Sequence, residues 1–161
     1  MKLKVVIPQS SQELALHKEA LDFLATFLEE VPENYTKNLF ASVPNIILFY
    51  TEEHGPLAVC QCDFLDEENT LCEIHGVIRQ DLKEILPRRN SLANIIVKSL
   101  LSLLFEKLKV EKVLVAYDFK TLSLLGFIRR FGLKKWVSTS ESQYYELSRD
   151  AYIQKILPNL N

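Results

Sequence analysis

The sequence predicts an α/β domain, an α+β mixed sheet within three layers, with elements in the order β-α-α-β-β-β-α-β-α-β-β. Three observations carry that expectation. Residues 45–78 hold three runs rich in β-branched and aromatic side chains, separated by turn residues, as in an antiparallel meander. Residues 90–108 then change to helical spacing and lead into a buried strand pattern, residues 113–117 (VLVAY), as in a β-α-β crossover. The chain has 161 residues, 48% of them hydrophobic, with only four Gly and six Pro, which suits one domain over residues 1–161 and excludes a disordered or low-complexity chain.

The elements follow in order. Residues 2–7 alternate charged and apolar side chains before Pro8, an opening strand. Ser10 and Ser11 offer an N-cap ahead of Glu13, and Leu14, Ala20, Leu21, Leu24, Phe27 and Leu28 recur at helical spacing up to Pro32, which predicts one amphipathic helix. A shorter helix is expected around residues 35–41. The meander comprises residues 45–51, 57–64 and 70–78, with Glu53-His54-Gly55-Pro56 and the acidic stretch 66–69 as its turns. After the long helix and the VLVAY strand, residues 120–131 read as a helix ending at Gly132, a natural C′ position. Residues 133–137 and 143–148 read as two closing strands. Neither an internal repeat nor a linker interrupts the pattern.

The formal charge of −2 is a cancellation. Residues 1–75 carry 4 Lys/Arg against 13 Asp/Glu, a net −9, and residues 76–161 carry 15 against 8, a net +7. Such an asymmetry suggests different partners for the two halves, with the basic half suited to phosphate. Its aromatic residues Phe119, Phe127, Phe131 and Trp136 are spaced like core residues, which argues against a nucleic-acid surface. No stretch has the length of a signal peptide's apolar core or a membrane span, so a soluble cytoplasmic protein is expected, with no membrane partner. The odd number of cysteines, Cys60, Cys62 and Cys72, argues for reduced thiols.

The element order, together with particular stretches, carries a family resemblance. These are the strand end Val77-Ile78, the basic turn Arg88-Arg89-Asn90-Ser91-Leu92-Ala93 that opens the long helix, residues 113–117, and residues 127–133 with Gly132. From about residue 2 to residue 148 the chain resembles the GNAT superfamily of acyl-CoA-dependent N-acyltransferases, as a divergent member of the kind found among bacteriophage proteins. The resemblance implies acetyl-CoA as co-substrate and a primary amine, on a protein or a small molecule, as acceptor. It implies that Val77, Ile78, Arg88, Arg89, Asn90, Ser91, Leu92 and Ala93 bind the co-substrate. The physical basis of such a loop is general: unpaired N–H groups at a helix start, the positive end of its dipole and flanking guanidinium groups together suit a pyrophosphate. The bland alternative is an ordinary N-cap beside solvated arginines.

Two departures stand out. Ser91 replaces the family's first loop Gly, and Ile128 stands where the family often has a Tyr that protonates the thiolate of CoA. They favour an alternative in which the GNAT-like fold has lost its chemistry and serves as a binding or assembly module. For the base that deprotonates the amine, Glu73 and His75 are the candidates: at i and i+2 of one strand they share a face. The competing reading makes Glu73 the partner of a surface lysine and His75 a packed residue. Cys60, Cys62, Cys72 and His75 do not read as a zinc site, because Cys72 and His75, three apart on a strand, point to opposite faces; no metal is expected.

Overall fold

The structure is a computed structural model that describes residues 2–28, 30–79, 81, 92–118, 134–138 and 142–159. Among the described residues, seven strands form one hydrogen-bonded sheet in the order β1-β2-β3-β4-β5-β7-β6. They are β1 (Lys4–Val6), β2 (Ile46–Thr51), β3 (Gly55–Phe64), β4 (Leu71–Ile78), β5 (Lys112–Asp118), β6 (Lys134–Ser138) and β7 (Ser142–Ser148). The β4–β5 pair is parallel, with Leu71–Ile74 opposite Lys112–Val115, as a crossover through an intervening helix requires. The pairs β1–β2, β2–β3, β5–β7 and β6–β7 are antiparallel. Two compact units divide the chain: Met1–Asp63 with His75–Ile96, and Phe64–Ile74 with Val97–Asn161. Strand β4 contributes to both, changing unit between Ile74 and His75.

In the first unit, helices α1 (Ser11–Ala15), α2 (Lys18–Ala25) and α3 (Tyr35–Ala41) cover one sheet face. Leu14, Leu21, Leu24 and Leu39 from the helices pack with Ile46, Leu48, Val59 and Val77 from the strands, all at most 6% exposed. Ile46 and Leu48, two apart on β2, share that face, while Ile47 and Phe49 are buried on the opposite one, so β2 is covered on both sides. Ser10 caps α1 by accepting a hydrogen bond from the Glu13 N–H at 3.2 Å. The single helix expected over residues 14–28 is two helices. At the break His17 takes φ −105° and ψ 16°, its N–H bonds the Leu14 carbonyl three residues back, and its imidazole meets the Tyr50 hydroxyl at 2.7 Å. No Gly or Pro marks that break, so a contact 33 residues away in sequence accompanies a turn that local spacing does not show.

The second unit holds the parallel ladder and β6 and β7. The long helix begins as α4 (Leu92–Ser102) and ends in a π-helical turn, Leu103–Lys107. Beyond β7, where the sequence reading stops, the chain continues as α5 (Arg149–Ala151), a π-helical turn Tyr152–Ile156 and a final 3₁₀ turn. Ser148 caps this segment through the Ala151 N–H. Tyr152 is fully buried and stacks on Phe105, ring centroids 4.9 Å apart. The expected helix over residues 120–131 lies outside the described residues. Among those described, no helix is long and apolar enough to cross a membrane.

Candidate functional site

Strand β4 carries four of the predicted site residues. Glu73 stands opposite Leu114 in the ladder to β5 and is partly buried. His75, one residue past the last β5 pair, is exposed, and its Nε2 lies 3.4 Å from Asp63 Oδ2 of β3. Val77 is buried in the first unit's core, so its side chain packs, and only its backbone remains for a ligand. Ile78 is partly buried. Leu92 and Ala93 are the first residues of α4, where a loop-to-helix phosphate site was expected; Arg88, Arg89, Asn90 and Ser91 lie outside the described residues.

Asp63 belongs to a polar chain that the sequence reading missed. The Gln61 side-chain amide donates to Ser42 Oγ at 2.7 Å and to Asp63 Oδ1 at 3.2 Å, and the Ser42 hydroxyl donates to the Asn38 carbonyl in α3 at 2.9 Å. A legible signal was present in residues 60–63: buried Cys60 and Cys62 alternate with polar Gln61 and Asp63, which places the polar pair on one face. The three cysteines are unoxidised and buried, and burial pushes the Cys60 thiol far above its ordinary value, so it stays protonated. Among the described residues, no group of three His, Cys, Asp or Glu side chains is placed to hold a metal ion.

A second feature of the first unit is an open cleft of about 620 Å³ between the α1–α2 corner and the β2–β3 turn. Its walls include His17, Glu19, Phe23, Tyr50, His54 and Arg79. Burial raises the Tyr50 hydroxyl above its ordinary value, so it faces His17 as a neutral phenol. Arg79 follows β4 directly and its side chain is 11% exposed. Its guanidinium grips both oxygens of Asp81 at 2.9 and 2.7 Å, donates to the carbonyls of His54 and Pro56, and lies 4.8 Å above the Phe23 ring. Donors fixed this way brace the end of β4 against α2 and the β2–β3 turn.

No family model matches the sequence, and no curated protein sequence matches it. Solved structures do. A chimera of the spermidine N-acetyltransferase SpeG from Vibrio cholerae and hSSAT superposes with a TM-score of 0.69 at 8% identity, covering 96% of this chain and 100% of that one. An acetyltransferase of the GNAT family from Bacillus anthracis gives 0.63 at 11% identity, covering 93% and 96%. The chain has the GNAT fold. The aminoglycoside acetyltransferase AAC(6′)-Ib, solved with coenzyme A, extends the likeness to a third GNAT-fold enzyme, at 0.63 and 14% identity over 96% and 99% of the two chains. At identities this low what is shared is the backbone path, so the site residues of this GNAT-fold chain have to be argued from their own chemistry.

Proposed function

We propose that this chain is an acyl-CoA-dependent N-acyltransferase that moves an acetyl group from acetyl-CoA to a primary amine. The observation that carries the reading is the extent of the likeness: 96% of the chain follows the backbone of acetyltransferases, one acting on spermidine and one on aminoglycosides, the latter solved with coenzyme A. Two features of the chain agree with it. Candidate bases Glu73 and His75 sit on β4, and Val77 and Ile78 extend that strand beyond its last pair with β5. In sequence, Arg88 and Arg89, followed by Asn90, Ser91, Leu92 and Ala93, put two cationic side chains shortly before α4, a pattern that would suit the pyrophosphate. The −9 charge of residues 1–75 favours a cationic acceptor such as a polyamine, a lysine or a protein N-terminus.

Chemically, an ammonium group R–NH3+ loses a proton to the base, and the nitrogen lone pair attacks the thioester carbonyl carbon. The C–S bond breaks, an amide C–N bond forms, and the second proton that the nitrogen sheds goes, through an acid, to the departing thiolate. Holding the two substrates together and withdrawing that proton are the tasks of the protein. Tyr144 and Tyr145 on β7, with Tyr117 on β5, are the candidates for protonating the thiolate in place of the residue at Ile128. Calorimetric titration with acetyl-CoA, followed by thiol release in the presence of spermidine, tests the reading. Saturable binding and amine-dependent thiol release are expected. No heat at millimolar acetyl-CoA would sink it in favour of a binding or assembly module built on the same fold.

A further inference from the structure

Helix α2 carries two apolar strips where an amphipathic surface helix needs one. Leu21 and Leu24 enter the core, while Ala20 and Phe23, on the neighbouring strip, line the open cleft with Leu16 at the α1–α2 corner and Pro56 of β3. Leu16 is 83% exposed and Phe23 39%, so this second strip lies uncovered. Polar groups of the walls are already matched: His17 Nδ1 meets the Tyr50 hydroxyl, and the Arg79 guanidinium is taken up by Asp81 and two carbonyls. What the walls leave over is apolar surface and negative charge. Glu19 lines the cleft, and the adjacent Lys18 pairs with Asp22 instead. Glu52 and Glu53 stand exposed in the β2–β3 turn, with the Glu53 carboxylate next to the wall residue His54.

We propose that this cleft docks a basic peptide segment of a partner protein: its apolar side chains sit on Leu16, Ala20, Phe23 and Pro56, and its lysine or arginine side chains reach Glu19 and Glu53. Charge complementarity selects the partner, since residues 1–75 carry −9 and the charge of the wall residue Arg79 is neutralised by Asp81. The open form selects a peptide over a small ammonium compound. A volume of about 620 Å³ is that of a ligand site, but such sites enclose most of a small molecule, whereas a peptide laid along a helix covers a groove from outside. Lysine and arginine stems add methylene groups to the apolar contact. Neither Glu73 nor His75 lines the cleft, so the docking goes beyond the N-acyltransferase reading and does not depend on it.

Fluorescence anisotropy with a short fluorescein-labelled peptide of alternating arginine and leucine tests the docking, at about 0.1 M salt, where distant charges are screened. Saturable binding at micromolar concentration is expected, and none for the same peptide with glutamate in place of arginine. Two charge-matched double variants separate the cleft from the general acidity of residues 1–75. Glu19→Gln with Glu53→Gln weakens binding about fivefold or more, whereas Glu67→Gln with Glu68→Gln, in the β3–β4 turn, leaves it within about twofold. Leu16→Ser weakens binding about threefold or more and, at so exposed a position, keeps the wild-type urea midpoint. Equal losses in the two double variants overturn the proposal, as does full affinity in Leu16→Ser or a lack of saturation at millimolar peptide. Spermidine that displaces the peptide at equal concentration assigns the cleft to a small amine, and a wild-type dimer that Leu16→Ser dissociates in sedimentation assigns it to a second copy. Either result overturns the peptide as occupant. The measurement needs no acetyl-CoA, so its failure and failure of the N-acyltransferase reading are separate results.

Discussion

Gly76 lies between the candidate base His75 and the core residue Val77, and a Cβ built there would stand 2.7 Å from the Val59 carbonyl oxygen and 3.3 Å from Cys60 Sγ. The nearer obstacle is backbone, which cannot swing aside as the end of a side chain does. Gly76→Ala is therefore expected to lower the unfolding free energy by about 1–3 kcal/mol. Urea denaturation measures it, and a midpoint equal to the wild type would show that β3 and β4 part without strain. Two surface carboxylates contribute to the pH dependence of stability in acid. The Arg79 guanidinium holds the Asp81 carboxyl below its ordinary value. The Thr70 hydroxyl, followed by the Leu71 N–H, does the same for Asp66 in the β3–β4 turn. Both bind protons more readily unfolded, so their stabilisation is present above the unfolded value of about 4 and is lost as pH falls through the lower folded values. Asp66→Asn should lower the urea midpoint at pH 6 and flatten its decline below about pH 4. Parallel declines in the two proteins would remove Asp66 from the account.

At the scale of elements, the C-terminal segment shows what local reading lacks. Arg149–Ala151 is too short to show a helical period, and the turn Tyr152–Ile156 that continues it is π-helical, so the 3.6-residue spacing never develops. What anchors it is tertiary: Tyr152 stacks on Phe105 and its hydroxyl lies 3.5 Å from Glu106, 46 residues earlier. Tyr152→Ala removes a fully buried aromatic ring and is expected to cost about 3–5 kcal/mol, read as a drop in thermal midpoint. A loss below about 1 kcal/mol would mean that the segment is not docked as a unit. The meander, by contrast, was legible to within a residue or two, because its runs of β-branched and aromatic residues are bounded by turn residues, even though Ile46–Phe49, buried on both faces, shows no alternation. The split of the first helix at His17 was not, since the contact that accompanies it is with Tyr50, 33 residues away in sequence. For the candidate site the same division holds: Glu73 and His75 were visible as neighbours on one strand, whereas Asp63 acquires meaning only through a pairing between strands that no spacing encodes.

At the scale of the molecule, the charge of −2 conceals residues 76–161 at +7 and residues 1–75 at −9. On the acyl-CoA reading these have opposite effects on the co-substrate, whose phosphates are attracted by the basic half and repelled by the acidic one. Affinity then depends on close cationic contacts, because at 0.1 M salt the field of more distant charges is screened beyond about 10 Å. Arg88 and Arg89 are the residues whose chemistry and place before α4 suit that contact, since a guanidinium grips phosphate oxygens in pairs. Replacing both with alanine is expected to weaken acetyl-CoA binding about tenfold or more, equivalent to about 1.4 kcal/mol at the lower limit. The variant should also flatten the dependence of the dissociation constant on salt between about 0.05 and 0.5 M, because the charges that respond to screening have been removed. Calorimetric titrations across that range measure both quantities. Equal affinities and equal salt slopes would assign the phosphates to other cations of the basic half and leave Arg88 and Arg89 without a part in co-substrate binding.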